Sequence, residues 1–522
     1  MNWPSAKSFL PGWKNALLAL LSSILLILAF PDFDLWFLAW FALVPLMWAV
    51  ERERESAAKS FVLGWLFGTV FFFGTCWWLA YAPIHYAAFP PLLAYSLVLI
   101  ACLGAGIFPG VFAAVLSVLL RRLGSRALLA APFVWVFTEF LRYWITGNNW
   151  NAIGYSQANL AWWVGRYATI GGVLAVSFVC VAPSAVLVGA WLRLKYVGLL
   201  SLPALFTLIH LGAAMTALLS DFSFDPHSPT GVARVIAIQP KVPMSGLTQT
   251  KWDQYRRNHV RLAEAEIQKL TTDHRPPTTV IFPESPMNFQ YADDPETKAF
   301  MDGFARMNNV SVLFNSAEPD RSNGKFFNSA VMVSPEGKEL AQYDKIYLLP
   351  FGEAVPVPFE SIVPAFVGSF SYGKEYDLFP VGNAKAGVMI CFESHFGQLS
   401  REYVRNGADV IIEMTNDGYL GPTPVLRQHL ANAVFRAVET NRPVLRVTNV
   451  GITAYINERG EVLDAAQPYT EDTRVWSIAR SDGSQTFYLR YGDWFAWLCT
   501  FVTLMMAALS FRRKPTVVEQ GV

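Results

Sequence analysis

The chain alternates between long apolar stretches and a polar middle segment. A membrane-spanning helix needs about 20 predominantly apolar residues, and several stretches without Asp, Glu, Lys or Arg reach or approach that length. The longest of them has room for two helices and contains the turn-like sequence YAPIHYAAFPP at 81–91. The pattern predicts eight spans, the first two of them short, in 15–31, 35–50, 60–120 (two spans), 127–146, 167–192, 196–220 and 494–511.

Basic residues flank the predicted spans on alternate sides. The loops at 31–34, 81–91 and 147–165 contain no Lys or Arg. Because positively charged loops stay in the cytoplasm, both termini are predicted to be cytoplasmic, and the segment between spans seven and eight is predicted to lie on the outer face. The residues on the cytoplasmic side are Lys7, Lys14, Arg52, Arg54, Lys59, Arg121, Arg122, Arg126, Arg193, Lys195, Arg512, Arg513 and Lys514.

The polar segment has the length and composition of one large α/β domain. Strand-like runs alternate in it with helical spacing at 255–270 and 425–440. This order predicts a mixed sheet covered by helices, or two such sheets packed together. Strands are predicted at 234–240, 278–285, 310–316, 386–394 and 408–417, with strand pairs in 328–345 and 443–464. The predicted domains are a transmembrane domain (1–220), an extracytoplasmic domain (221–493) and a last span with a cytoplasmic tail (494–522).

Composition and charge also indicate a membrane protein. Hydrophobic residues make up 53% of the chain and charged residues only 16%, whereas charged residues are about a quarter of ordinary soluble domains. The net charge is +1, and the chain has no dense basic run. We therefore predict no nucleic-acid partner.

Three reactive residues each follow a predicted strand or hairpin in the polar segment. Glu284 follows TVIFP, Lys345 follows the hairpin in 328–345, and Cys391 follows GVMI. Side chains at strand ends gather at one edge of an α/β sheet. A carboxylate there can accept the thiol proton, the sulfur can attack a carbonyl carbon, and the ammonium can stabilise the oxyanion. A lysine beside the thiol is also expected to lower the thiol pKa.

Each of these residues also has an ordinary structural interpretation. Free cysteine is a common buried filler, Glu284 alone fits a loop carboxylate, and Lys345 alone fits a solvated surface lysine. Compartment favours a functional thiol, because exported domains tend to pair their cysteines or lack them. The other cysteines, Cys76, Cys102, Cys180 and Cys499, all lie in predicted spans.

No cofactor or metal site is predicted from the sequence. The seven histidines form no HxxxH or Cys/His pattern. The chain also has no G-x-S-x-G elbow and no phosphate-binding glycine motif.

The ordered motifs resemble those of a known family. Glu284 in FPES, Lys345 in YDKIYLLPFGEAVP and Cys391 in ICFES resemble the Glu-Lys-Cys triad of the nitrilase (carbon–nitrogen hydrolase) superfamily. With the predicted spans, the whole chain resembles the apolipoprotein N-acyltransferase family. Further matching motifs are GYSQ (154–157), KW (251–252), FNSAVMVS (327–334), TNDGYLGPTPVLRQH (415–429) and TNVGITAYINERG (448–460).

This resemblance implies a fold and a reaction. The fold is a polytopic helical membrane domain plus an αββα nitrilase-like sandwich. The reaction is acyl transfer from a phospholipid, phosphatidylethanolamine in particular, through a thioester on Cys391 to the N-terminal amine of a diacylglyceryl-cysteine apolipoprotein. Glu284 is then the general base and Lys345 the oxyanion donor. The implied location is the bacterial inner membrane, with the catalytic domain on the periplasmic face.

The resemblance also assigns supporting residues. Glu353 corresponds to the family's second essential carboxylate, and Glu393 to the acidic residue two positions after the nucleophile; a structural salt bridge is the alternative for both. The backbone N–H of Phe392 is expected to assist Lys345. Trp252 matches a tryptophan near the substrate entrance, with ordinary packing as its alternative. Asn328 matches an asparagine near the triad, with turn formation as its alternative, and Tyr419 belongs to the substrate surroundings.

Some positions depart from the family pattern. These are Pro240-Lys241, Phe392 and Tyr419-Leu420, and they bear on donor preference and rate. The apolar segment 351–373 is predicted to be either a membrane-touching lid or a loop packed on its own domain. Glu139 and Arg142 are predicted to form either a structural pair or a headgroup contact.

Two rival functions remain at this point. A membrane-anchored nitrilase-type amidase would use water as the acceptor and would need no lipid path. A binding or transport protein with a catalytically dead domain would be expected to have a broken triad.

Overall fold

The computed structural model describes residues 9–161, 163–193, 227, 231–270, 277–287, 289–350, 352–355 and 370–512. The predicted span at 196–220 and most of the predicted lid at 351–373 lie outside these residues. The chain divides into two compact units. The first contains 1–221, 423–431 and 491–522, and the second contains 222–422 and 432–490.

The described part of the first unit is helical. Four helical stretches there are long and apolar enough to cross a membrane: Ala57–His85, Pro91–Thr146, Gly165–Leu192 and Trp494–Phe511. The predicted second span does not form one continuous helix, because a short 3-10 turn and a nine-residue helix replace it. The α-helices that begin in this unit are Trp13–Leu28, Val44–Arg52, Ala57–Cys76, Tyr81–His85, Pro91–Leu123, Ala131–Thr146, Ala168–Arg193, Val425–Thr440 and Trp494–Arg512.

Glycines allow two of these helices to approach closely. A Cβ added at Gly64, on helix Ala57–Cys76, would lie 2.2 Å from the Pro109 carbonyl oxygen of helix Pro91–Leu123. A Cβ added at Gly106 would lie 2.6 Å from Thr69 Oγ1. Small residues at such contacts allow dispersion contacts between helix backbones where no hydrophobic effect drives association.

Two buried charged side chains inside this unit, Glu139 and Arg142, make hydrogen bonds. Glu139 accepts hydrogen bonds from Trp135 Nε1 and from the Ile153 backbone N–H, both at 2.8 Å. Arg142 donates to the Trp150 carbonyl oxygen at 2.9 Å and to Asn149 Oδ1 at 3.0 Å. The two charged side chains therefore bind separate structural partners and do not form the ion pair suggested by their spacing.

The motif GYSQ and the last part of the motif at 415–429 also lie in this unit. In GYSQ, Gln157 accepts from Trp40 Nε1 at 3.1 Å and donates to the Trp36 carbonyl oxygen at 3.1 Å. In the segment 423–431, Gln428 accepts from Trp78 Nε1 and Trp150 Nε1 and donates to the Thr75 carbonyl oxygen. These motifs therefore contribute buried polar contacts among the helices.

The second unit contains two mixed β-sheets. The strands are β1 (Ala233–Gln239), β2 (Thr278–Ile281), β3 (Ser311–Asp320), β4 (Lys325–Val333), β5 (Glu339–Asp344), β6 (Phe370–Ser371), β7 (Leu378–Val381), β8 (Ala384–Ile390), β9 (Val410–Thr415), β10 (Val444–Thr448), β11 (Ala454–Ile456), β12 (Val462–Leu463) and β13 (Asp472–Ile478). One sheet has the order β13-β1-β2-β3-β4-β5, with β6 beside β4, and the other has the order β12-β11-β10-β9-β8-β7. In each sheet three neighbouring strands are parallel: β1, β2 and β3, and β8, β9 and β10.

Helices pack on both sheets, as the alternating pattern predicts. Apolar residues of β1 to β4 form one core with helices Gln249–Ile267 and Pro295–Asn308. Helix Gly397–Arg405 packs on β8 and β9. Every predicted strand corresponds to an observed one, although β2 ends at Ile281 and β3 continues to Asp320. The sequence pattern missed β6, β7, β13 and the helices Pro295–Asn308 and Gly397–Arg405.

Candidate active site

Glu284, Lys345 and Cys391 lie close together in the second unit. Lys345 directly follows β5, Cys391 directly follows β8, and Glu284 lies three residues after β2. Lys345 Nζ is 4.0 Å from Glu284 Oε1. The Cys391 thiol lies close enough to the Glu284 carboxylate and the Lys345 ammonium for each of them to shift its pKa. The structure thus places a thiol, a carboxylate and an ammonium group together, as the positions of the strand ends predict.

Cys391 lies at a sharp change of chain direction. Its φ is 54°, which is unusual for a residue other than glycine. The residue ends the extended path of β8 and begins a 3-10 turn that runs to His395. Non-glycine residues in this region cost free energy and are concentrated at functional sites. The backbone at Cys391 therefore favours a positioned, functional thiol over a buried filler.

Lys345 is held by two carboxylates. Its side chain is 1% exposed, and Nζ lies 2.9 Å from Glu353 Oε1 and 2.8 Å from Glu353 Oε2. Burial alone would lower the pKa of Lys345, but the carboxylates of Glu353 and Glu284 outweigh it and raise the pKa. The side chain therefore remains an ammonium at neutral pH, and it is not a solvated surface lysine.

Glu353 is fixed by contacts on both oxygens. Besides Lys345, its Oε1 accepts from Asn328 Nδ2 at 2.6 Å, and its Oε2 accepts from the Leu349 backbone N–H at 2.7 Å. The proposed second carboxylate thus has a direct contact with the ammonium.

Glu284 is also held at both oxygens. Oε1 accepts from Asn328 Nδ2 at 3.1 Å, and Oε2 accepts from the Asn416 backbone N–H at 3.0 Å. Burial raises the pKa of Glu284, the Glu353 carboxylate raises it further, and Lys345 opposes the shift. A carboxylate with a raised pKa is a stronger base when ionised, which suits proton transfer from a thiol or an ammonium.

Cys391 is a protonated thiol, not a thiolate, before the reaction begins. Burial and the Glu284 carboxylate raise the pKa of Cys391 well above its usual value, although Lys345 acts in the opposite direction. The predicted effect of the lysine is therefore present, but burial and Glu284 outweigh it, and the net pKa of the thiol is raised. A half-buried thiol that keeps its proton needs a neighbouring base, and Glu284 lies beside it.

Glu393 is fully buried and accepts hydrogen bonds from backbone N–H groups and from the Tyr343 hydroxyl. Oε1 accepts from Tyr343 Oη at 2.7 Å and from the N–H groups of Ile346 and Tyr347 at 2.8 and 3.0 Å. Oε2 accepts from the Ile390 N–H at 2.8 Å. Burial raises the pKa of Glu393 to about 7. The Glu393 side chain thus links the backbone directly after Lys345 to the backbone directly before Cys391.

The remaining predicted residues, Phe392, Trp252 and Tyr419, have contacts of their own outside the triad. The Phe392 ring stacks on His395 with centroids 5.6 Å apart. Trp252 is partly buried against the core and meets Phe289 edge-on at 5.3 Å. Tyr419 is 41% exposed. Their assignment to substrate contacts stays a prediction.

The sequence reasoning missed a buried ion network beside the site. Arg446, on β10, lies 2.5 Å from Glu413 Oε1 and 2.7 Å from Asp417 Oδ2, and Arg446 and Glu413 are fully buried. Asp417 also contributes to the raised pKa of Cys391. The sequence does contain a signal for this network, because Glu413 lies within the apolar strand β9 and Arg446 lies within the apolar strand β10. In the part of the chain that the structure describes, no cluster of His, Cys, Asp and Glu could hold a metal ion.

Comparison with known proteins gives the family. Residues 22–186 match the description Apolipoprotein N-acyltransferase N-terminal domain, and residues 264–488 match Carbon-nitrogen hydrolase. An apolipoprotein N-acyltransferase from Geobacter metallireducens is 31% identical over 516 residues, which cover 96% of each chain. The chain belongs to the apolipoprotein N-acyltransferase family. A family member from Thermotoga maritima is 30% identical over 527 residues, which cover 98% of this chain and 97% of the relative.

The predicted fold class is confirmed with the family. The Carbon-nitrogen hydrolase match covers most of the second unit, whose two mixed sheets have the expected architecture. Among solved structures, an amidase of the nitrilase superfamily from Nesterenkonia AN1 is similar to 50% of this chain and 95% of its own, with 16% identity and a TM-score of 0.37.

Proposed function

We propose that this protein transfers an acyl chain from a phospholipid, through a thioester on Cys391, to the N-terminal amine of the diacylglyceryl-cysteine of apolipoproteins. Membership of the family supports an acyltransferase that acts in lipoprotein biosynthesis. The observation that carries the proposed mechanism is the contact of the Cys391 thiol with Glu284, beside the Lys345 ammonium.

In the first half-reaction, Glu284 takes the thiol proton while sulfur attacks the ester carbonyl carbon. The resulting oxyanion is stabilised by Lys345, which the raised pKa keeps charged. The carbon–oxygen ester bond then breaks, and the proton held by Glu284 passes to the departing alkoxide. The products are a thioacyl-enzyme and a lysophospholipid, and no electron donor or acceptor is needed.

In the second half-reaction, the acceptor amine attacks the thioester carbonyl carbon. Glu284 takes a proton from the amine, Lys345 again faces the oxyanion, and the carbon–sulfur bond breaks. The proton returns to the sulfur and regenerates the thiol, and the acyl chain leaves as an amide. One base of raised pKa thus serves both halves.

Glu353 and Asn328 are proposed to hold the charged groups in position. Asn328 contacts Glu284 directly, and Glu353 contacts Lys345 directly. Glu393 is proposed to anchor the residues after Lys345. Phe392, Trp252 and Tyr419 are proposed as substrate-side residues.

The proposed donor is phosphatidylethanolamine, and the proposed location is the bacterial inner membrane with the second unit on the outer face. The apolar helices of the first unit and the alternation of basic loops support this placement.

The experiment follows the acyl chain. Full-length protein in detergent is incubated with acyl-labelled phosphatidylethanolamine, and Cys391→Ala is the control. We expect the wild type to acquire a label that hydroxylamine removes. The Cys391→Ala variant should acquire no such label. Adding a diacylglyceryl-cysteine peptide should then move the label into a hydroxylamine-resistant amide.

Two results would contradict the proposal. Absence of the thioester label on folded wild type excludes acyl transfer through Cys391. A label that is released only to water, and never to the peptide, indicates the amidase-type hydrolase instead.

A further inference from the structure

The Asn328 side chain bridges the two carboxylates that flank Lys345. Its Nδ2 donates to Glu284 Oε1 at 3.1 Å and to Glu353 Oε1 at 2.6 Å. An amide nitrogen carries two hydrogens, so each carboxylate receives one of them. Asn328 is 7% exposed, and little water competes for these contacts. The amide therefore stabilises the ionised form of Glu284.

A second asparagine, Asn315, holds the other end of this amide. Asn315 Nδ2 donates to Asn328 Oδ1 at 2.7 Å and to the Ser329 carbonyl oxygen at 3.0 Å. Asn315 is on β3, Asn328 is on β4, and Asn328 is paired with Ala317. Asn315 thus lies two residues from the direct partner, on the same face of the sheet, within reach of a diagonal contact.

We propose that Asn315 is a positioning residue for the acyl transfer: by donating to Asn328 Oδ1 it keeps Nδ2 of Asn328 directed at Glu284 and Glu353. This inference rests on the proposed function of Glu284. Asn315 is 8% exposed and both of its amide hydrogens are used. It touches no reacting group and acts only through Asn328.

The consequence concerns the ionisation of Glu284. The titratable groups that face it are Lys345, Glu353 and Cys391, and Asn328 and the Asn416 N–H are its uncharged donors. Loss of the Asn328 hydrogen bond favours the protonated carboxyl, so the Glu284–Cys391 pair gives up its first proton at higher pH. The apparent midpoint belongs to the pair rather than to one residue.

The test uses Asn315→Asp and Asn315→Leu in the full-length protein. Aspartate has the shape of asparagine but accepts where asparagine donates, so it competes with Glu284 and Glu353 for Asn328 Nδ2. Leucine removes the donor without adding a charge. Asn309→Asp is the matched control, because Asn309 is exposed at the end of a helix in the same unit.

The primary measurement is the pH dependence of Cys391 alkylation by iodoacetamide, followed by mass spectrometry of the Cys391 peptide. A hydrogen bond to a charged group is worth enough to move a midpoint by about one pH unit. We expect Asn315→Asp to raise the alkylation midpoint by that amount, Asn315→Leu to raise it less, and Asn309→Asp to leave it unchanged.

Each substitution is then repeated in an Asn328→Ala background. If Asn315 acts through Asn328, the shift from Asn315→Leu disappears there, and the shift from Asn315→Asp shrinks to the direct effect of the added charge. Unchanged midpoints in the single variants, or equal shifts in both backgrounds, overturn the proposal. Alkylation needs no lipid substrate, so these results are separate from a failure of acyl transfer itself.

Discussion

Lys345 offers the sharpest prediction at the scale of the residue. Lys345→Met keeps a long side chain but removes the charge between Glu284 and Glu353. Losing one oxyanion donor costs about 100- to 1,000-fold in rate, so thioacyl formation should fall by at least that factor. The measurement is single-turnover labelling of Cys391 by a labelled phospholipid. The matched control is Lys338→Met, at an exposed position, and a similar loss in both variants would argue against the assigned role.

His259 carries a prediction about acid stability. It is buried on helix Gln249–Ile267, its Nδ1 donates to the Tyr255 carbonyl oxygen at 2.7 Å, and burial lowers its pKa to about 4. Below about pH 6.5 the unfolded chain binds a proton that the folded chain does not, so about 3 kcal/mol of stability is lost as the pH falls to about 4.

The measurement compares unfolding temperatures between pH 7 and pH 4 for wild type, His259→Leu and His85→Leu. His259→Leu should lose stability less steeply on acidification than the wild type. His85 is exposed, and the His85→Leu variant should follow the wild type. Parallel curves for all three proteins would show that His259 makes no such contribution.

At the scale of the element, the packing of helices Ala57–Cys76 and Pro91–Leu123 depends on individual glycines. A Cβ at Gly106 would lie 2.6 Å from Thr69 Oγ1, whereas a Cβ at Gly104 meets nothing within 4 Å. Overpacking a tight contact costs about 1–3 kcal/mol, so Gly106→Ala should lower the unfolding temperature in detergent. Gly104→Ala, on the same helix, should not. Equal unfolding temperatures for the two variants would contradict this close contact.

At the scale of the whole molecule, the prediction concerns which side of the membrane each segment faces. In a Cys391→Ala background the remaining cysteines are buried. Lys338→Cys, in the second unit, should react with a membrane-impermeant maleimide on spheroplasts. Arg126→Cys, in a basic loop, should react only after the membrane is permeabilised. Both positions are exposed, so the opposite labelling pattern would reverse the predicted orientation.

Much of this architecture follows from local sequence. Apolar runs and helical spacing depend on neighbouring residues, and they correctly predicted the strands around Glu284, Lys345 and Cys391 and the helix Val425–Thr440. The gathering of the three residues also followed from their places at strand ends. The local pattern wrongly predicted one continuous span at 35–50, because this apolar stretch forms a 3-10 turn and a nine-residue helix.

Tertiary structure decided the electrostatics of the site. Glu284 accepts from Asn416, 132 residues away, and Arg446 binds Asp417, 29 residues away. Which amide meets which carboxylate, and whether burial outweighs a neighbouring charge at Cys391, depend on distances between side chains that are far apart in the chain. Spacing therefore indicated which groups take part, and only the packed sheets determined which proton each of them holds.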